Sequence, residues 1–377
     1  MQRPGSAIAR ETVLVAAVAC AAFLPFARGA AGGASLYFRD LSLHFLPMRR
    51  FAAEGLRAGE LRYWNPYAYE GSALSPLPLG YPIDLLQALW PHEAFFSLLL
   101  ALHLPLAAAA LYLLARQLGS GSAGAAAGGL VYALSGYALS SVNLYVYAQA
   151  LPWAALVAAA IARAAGGGGP QVALAALAGA VLFSTTALET ALQAVPAAVL
   201  LLPRLPTRAG AVRIVAALAL AAGLAAVVLG PASGMVAGSA RDAGFPTAVV
   251  LAHSIHPVGL LQTVVAGLFG EPSSPVERFW GTNFFPRGFP YFLSLYLGAT
   301  ALALAGTGLC ERRAPRWRLL ALAATATLVC LGPWADLTPL VDTLGPLRKL
   351  RFPVKAFFSV QLAVALGKLC EGDILLS

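Results

Sequence analysis

Apolar residues run along this chain in long blocks separated by short polar stretches. Ten of the blocks approach the roughly 20 residues that a bilayer-spanning helix needs. They cover about 12–32, 94–115, 123–142, 147–164, 171–188, 190–203, 213–233, 289–309, 317–333 and 356–370. The pattern predicts an all-α integral membrane protein with about ten transmembrane helices in one polytopic domain. Two large loops, 34–93 and 235–288, lie between blocks. The block 190–203 is short, which leaves a re-entrant pair around Glu189 open as an alternative. Ala and Gly dominate the third to seventh blocks, and in lipid small residues let helix backbones approach closely.

Composition narrows the class. Of 377 residues, 59% are hydrophobic and 11% charged, with a mean hydropathy of +0.75. A soluble domain carries about 25% charged residues, so a soluble enzyme, a disordered chain and a nucleic-acid binder are all excluded. The net charge of +9 is accounted for by position rather than by a basic footprint. Alternate connections bear arginine: Arg3 and Arg10, then Arg116, Arg163, the group Arg204, Arg208 and Arg213, and the group Arg312, Arg313, Arg316 and Arg318. The connections near 143–146 and Glu189 carry no Lys or Arg. By the positive-inside rule the N-terminus is cytoplasmic and both large loops face outward. Of 16 acids, only Glu11, Glu311, Glu371 and Asp373 fall on the inner side.

Arg3 and Arg10 followed by an apolar run also fit a signal peptide. The run continues past Cys20, however, and the next spans need an inward-positive partner, so the segment is expected to stay as a helix. Cys20, Cys310, Cys330 and Cys370 lie in or beside spans, without metal-ligand spacing, and read as small buried residues. Gly166–Gly169 before Pro170 is a turn, because no strand precedes it as in a phosphate loop.

The first loop is the densest in information. Residues 41–58 alternate apolar and polar positions at helical spacing, with Arg49, Arg50, Glu54 and Arg57 on the wet side. That predicts a helix lying on the outer leaflet. Tyr63, Trp64, Tyr67, Tyr69 and Trp90 are expected at headgroup depth.

Several phrases in this chain resemble the bacterial YfhO-like membrane proteins, members of the broad GT-C class of polyprenyl-phosphate-dependent glycosyltransferases. They are Asp40-Leu41 with Pro47, Gly59 with Trp64-Asn65-Pro66, Glu70-Gly71, Tyr81-Pro82, Tyr132 with Ser135-Gly136, and Ala150-Leu151-Pro152-Trp153. Further on come Leu268-Phe269-Gly270, Tyr291-Phe292 and Arg351-Phe352-Pro353-Val354-Lys355. The likeness is spread over residues 36–372. His44 stands where the family pattern commonly has Gln, and the family is usually longer, with further spans. The resemblance implies a GT-C-like bundle that moves a sugar from a polyprenyl-phosphate carrier to a cell-envelope glycan or lipid acceptor. The reaction would take place at the outer face of the bacterial cytoplasmic membrane. It also implies that the key acid follows the first span, at Asp40.

Such a transfer needs a carboxylate to take the acceptor's proton and cations to hold the departing phosphate. Asp40 fits the first role, and it also fits an ordinary N-cap for the helix starting near Leu41. Glu189, an acid at or near bilayer depth, is the second expected catalytic carboxylate. His44, Arg49, Trp64, Asn65, Tyr67, Glu70, Arg351 and Lys355 are expected to bind substrate. Arg351 and Lys355 stand one turn apart beside Arg348 and Lys349, where ordinary anionic headgroups are an equally good partner. A divalent metal stays open, although His253 and His256 have no evident third ligand. No cofactor is expected beyond the lipid-linked donor itself. The expected partners are membrane lipids and the glycan or lipid acceptor, with no nucleic acid. The alternative is a transporter or a lipid-handling scaffold of the same architecture, which should carry a polar cavity at mid-depth.

Overall fold

A computed structural model describes residues 4–68, 70–74, 80–202, 205–272, 278–308 and 316–367. Tyr69, Arg3, Arg204, Cys310, Glu311, Arg312, Arg313, Cys370, Glu371 and Asp373 lie outside the described residues. The described chain is mainly helical and carries a two-residue hairpin pairing Trp64–Asn65 with Ser72–Ala73. The helices that matter below are α1 (Pro4–Ala31), α2 (Leu46–Arg57), α3 (Glu93–Ala101), α4 (His103–Gln117), α5 (Ser122–Leu134), α6 (Gly136–Ser141) and α7 (Val146–Gly166). They continue with α8 (Gly169–Ser184), α9 (Leu188–Leu200), α10 (Arg208–Leu224) and α11 (Ala226–Val236).

Ten spans are not reproduced. Four helical stretches are long and apolar enough to cross a bilayer: Ile8–Ala31, Glu93–Gln117, Val146–Gly166 and Trp317–Ala335. Two bent pairs, α5 with Gly136–Leu144 (40°) and α10 with α11 (74°), raise the number to six if each counts as one span. The remaining apolar helices are α8, α9, Ala299–Gly308 and Pro353–Gly367. At about 1.5 Å per residue the longest of these, α8 with 16 residues, reaches about 24 Å, short of the roughly 30 Å hydrocarbon core. Large apolar side chains stand exposed along the bundle surface, among them Ile8, Val13 and Leu24 on α1 and Val212, Val215 and Leu220 on α10. Faces this apolar fit a membrane-embedded protein.

The expected span 289–309 is half wrong. Among its described residues only Ala299–Gly308 is helical; residues 289–298 form a non-helical strap across the bundle end. The Tyr296 carbonyl accepts the Gly136 N–H at 2.6 Å, the Ser294 N–H donates to Ser140 Oγ at 2.9 Å, and the Leu297 N–H donates to the Thr263 carbonyl at 3.0 Å. The strap explains Gly136, where a Cβ would strike Ser294 Oγ and come within 2.6 Å of the Tyr296 nitrogen. Average hydropathy cannot separate a buried non-helical strap from a helix, because both are apolar.

α7 is the centre of the bundle and packs against α4, α8, α9 and α10. Close backbone approach follows from the small residues: a Cβ on Gly128 would lie 2.6 Å from the Ala365 carbonyl, and one on Gly129 2.6 Å from that of Ala108. One end of the bundle gathers the arginines. Arg116 pairs with Glu11 at 2.8 Å, Arg213 reaches the Ala165 carbonyl, and Arg318 reaches that of Leu202. The opposite end carries the strap, α2 and the start of α9.

Candidate functional site

At that opposite end, α9 opens with Leu188 and Glu189, shortly after Thr186 turns the chain with a positive φ of 61°. From the far end of the sequence, Phe352 (φ 67°) turns the chain into Pro353–Ala356 and delivers Lys355. Lys355 Nζ donates to Glu189 Oε1 at 2.8 Å, with side chains only 7% and 13% exposed. Buried charges are tolerated when their remaining hydrogen-bonding capacity is met. Tyr147 donates to Glu189 Oε2 at 3.4 Å, and the rings of Tyr147, Tyr291 and Phe352 surround the ammonium at 5.2–5.7 Å from their centroids. Gln193 staples the two segments together by donating to the carbonyls of Glu189 and Lys355, while Ser359 donates to its Oε1 at 2.9 Å.

Tyr291 links this pair to the first loop. Arg39 donates to the carbonyls of Pro290 and Tyr291 and lies over the Phe289 ring, which sets the next residue, Asp40, beside the strap. Burial pushes the Tyr291 phenol up to about 12; its hydrogen bond with Tyr147 opposes this, the fields of Glu189 and Asp40 add to it, and Arg351 opposes it. Asp40 is exposed and its side chain makes no capping bond, so the N-cap reading does not apply. The turn after it, Leu41–Phe45, is a π-helix, so His44 does not stand regularly above Asp40; it is exposed against the Phe45 ring.

Arg351 lies over the rings of Phe245 and Phe352, at 4.9 Å from each centroid, with its Nε buried and unpaired. Arg241 lies over the same Phe245 ring at 5.7 Å, and its field, like that of Arg351, reaches Lys355. Arg348 Nε donates to the Phe245 carbonyl, and Lys349 faces Asp242 at 3.5 Å. His253 packs on Tyr291 and Phe352, and His256 on Phe284 and Trp334. Among the described residues no three His, Cys, Asp or Glu side chains gather as a metal site.

Arg49 is a correction: it is buried, not on the wet side. It donates to Asp84 Oδ2 at 2.6 Å and lies over the Tyr145 ring. Asp84 Oδ1 also accepts from Tyr145 and, at 2.8 Å, from Gln149. Beside it, Trp153 donates to the Tyr81 hydroxyl at 2.7 Å, which in turn meets His103 Nε2 at 2.8 Å. The segment Tyr145–Gln149 therefore serves both buried acids, Tyr145 and Gln149 holding Asp84 and Tyr147 facing Glu189. Trp64, Asn65, Tyr67 and Glu70 are not drawn to this site. They form the hairpin over α2, where Trp64 covers Gly71, Asn65 Oδ1 accepts the Tyr67 N–H, Tyr67 meets the Phe51 edge, and Glu70 takes a φ of 62° in the turn.

Sequence reading missed Tyr147, Arg241, Phe352 and Asp84 as site residues. The usable signals were an acid two residues after Pro82 and an aromatic residue forced against Pro353. Among the described residues, seven non-glycine residues have positive φ, and five of them (Arg39, Tyr145, Thr186, His253 and Phe352) border these two networks. Strain of this kind, about 1–3 kcal/mol each, concentrates at functional sites. Comparison with protein-family models, with curated proteins and with solved structures gave no match.

Proposed function

We propose that this chain is a membrane glycosyltransferase of the GT-C kind, moving a sugar from a polyprenyl-phosphate carrier to a cell-envelope acceptor at the outer face of the bacterial cytoplasmic membrane. The observation that carries the reading is the strap at Tyr291: its carbonyl accepts from Arg39, the neighbour of the exposed Asp40, and its ring packs on Phe352 beneath Arg351, whose Nε is buried without a hydrogen-bond partner. Glu189 is already paired with Lys355, so the base is Asp40. Its carboxylate takes the acceptor hydroxyl's proton as that oxygen bonds to the anomeric carbon. The bond from that carbon to the phosphate oxygen breaks, and the electron pair leaves on the phosphate. Arg351 and Arg241 stabilise that charge, while the Glu189–Lys355 pair fixes the rings around them. In this orientation the arginine-rich end is cytoplasmic, as is the N-terminus.

The test is transfer in membranes from radiolabelled polyprenyl-phosphate sugars, comparing the wild type with Asp40→Asn and Arg351→Gln. Turnover should fall at least a hundredfold in Asp40→Asn, within the range of about 10²–10⁴ contributed by a general base. Equal turnover would remove Asp40 from the mechanism.

A further inference from the structure

A cleft runs outward from Tyr291 along the second loop. Its inner part, narrowing to about 20 Å³, is lined by His253, Gly259, Gln262, Phe285, Pro290 and Tyr291. Its outer part opens to about 340 Å³ between Phe269, Phe279, Phe285 and Pro290, with Glu271 and Ser294 on its walls. Gln262, Phe285 and Pro290 border both parts, so the two are adjacent. The outer volume falls within the roughly 300–1,000 Å³ of small-molecule sites.

Gln262 is the telling residue. It is 92% buried, since only 8% of its surface is exposed, yet it faces both parts of the cleft. Its Nε2 lies 3.9 Å from where a Cβ on Gly259 would stand, a glycine that itself lines the inner part. Among the described residues its amide meets no hydrogen-bond partner. The amide opens onto the cleft, so a ligand that displaces water there must offer both donors and acceptors or leave it unpaired, at a cost of about 1–3 kcal/mol. The polar residues around it are engaged: Ser294 Oγ accepts the Tyr296 N–H, His256 Nδ1 accepts the Val258 N–H, and Glu271 faces Arg278 at 3.6 Å. The remaining walls are aromatic. Phe269 packs against Trp280, Phe284 and Phe285, and Phe279 against Phe285 and Phe289, which makes a rigid apolar surface.

An acyl chain would leave the Gln262 amide unsatisfied, and a charged ligand would find no free counter-charge on these walls. A ring with apolar C–H faces and hydroxyls around its edge satisfies both the rings and the amide. We propose that the outer cleft is a saccharide subsite, which seats a pyranose ring of the acceptor against the phenylalanines and hydrogen-bonds it through Gln262. The naming of the ligand as the acceptor rests on the transferase reading; the sugar-binding chemistry of the cleft does not.

The test is saturation-transfer NMR on the full chain in lipid nanodiscs, which contain no sugar detergent. The probes are the methyl pyranosides of glucose, galactose, mannose and N-acetylglucosamine, with cyclohexanol as an apolar ring of similar size. At least one glycoside should show transfer well above cyclohexanol. Gln262→Leu should weaken it about tenfold, and Gln262→Asn by less, with unchanged helicity in both. Glycosides no better than cyclohexanol, or binding unchanged in Gln262→Leu, would overturn the subsite. Binding in a protein that transfers no sugar keeps the subsite and counts against the transferase reading alone.

Discussion

Lys355 and Glu189 meet at 2.8 Å across 166 positions of sequence, each nearly out of contact with solvent. The pair joins the start of α9 to the segment that opens the last helix, and the Gln193 staple lies directly behind it. It is therefore a structural fastener as well as part of the site's electrostatics.

Breaking one half of that fastener strands the other charge. Lys355→Met should destabilise the folded protein by about 3–5 kcal/mol, and Glu189→Gln by a similar amount. The double variant should recover much of the loss, because neither charge then remains buried. Unfolding in nanodiscs, followed by circular dichroism for the two single variants and the double, measures this coupling. Additive losses would show that the two side chains do not act as a pair.

The strap gives a sharper test of backbone approach. Gly136→Ala places a methyl against Ser294 Oγ and the Tyr296 nitrogen, so the strap must lift from α6. Overpacking of this kind costs about 1–3 kcal/mol. Because the strap carries Tyr291, the same variant should reduce sugar transfer, while Gly166→Ala, where a Cβ meets nothing, should change neither stability nor transfer.

Several of these features were readable in the sequence and others were not, for physical reasons. The long helices were readable because apolar residues run continuously through Glu93–Gln117 and Val146–Gly166. The helix Leu46–Arg57 was readable from the helical spacing of residues 41–58. Arg49 was misplaced because helical spacing reveals which face a residue takes but not what covers that face, and its cover, Asp84, lies 35 positions away. The strap was misplaced because hydropathy records burial and not backbone conformation. Tyr291 carried a signal only as part of an aromatic run, and its contacts with Arg39, His253 and Phe352 come from three distant segments. The left-handed turns at Thr186 and Phe352, neither of them glycine, had no signature at all.

Sidedness is open to a direct measurement. Residues 60 and 349 carry side chains 63% and 52% exposed, at the end opposite the Glu11–Arg116 pair. In a background with the four native cysteines replaced by alanine, Glu60→Cys and Lys349→Cys should label with a membrane-impermeant maleimide added outside intact cells. Arg163→Cys and Arg208→Cys should label only after the membrane is opened. The reverse pattern would invert the proposed topology and move the reaction to the cytoplasmic face.

The last test concerns Asp84, which accepts from Arg49, Tyr145 and Gln149 at once. Arg49 belongs to α2, Asp84 to the segment Pro82–Leu89, and the other two residues to the entry of α7, so one carboxylate fixes the first loop to the bundle. Asp84→Asn keeps the shape but leaves the Arg49 guanidinium buried without a counter-charge, a loss of about 3–5 kcal/mol. Tyr145→Phe removes a single hydrogen bond to a charged group, about 1.5–3 kcal/mol. The order of losses, Asp84→Asn above Tyr145→Phe, is the expected outcome in thermal unfolding. The replacement Arg49→Met with Asp84→Leu removes both charges together and should fall well short of the Asp84→Asn loss. If the double replacement is as damaging as Asp84→Asn, the loop is held by packing around these side chains and not by their charge.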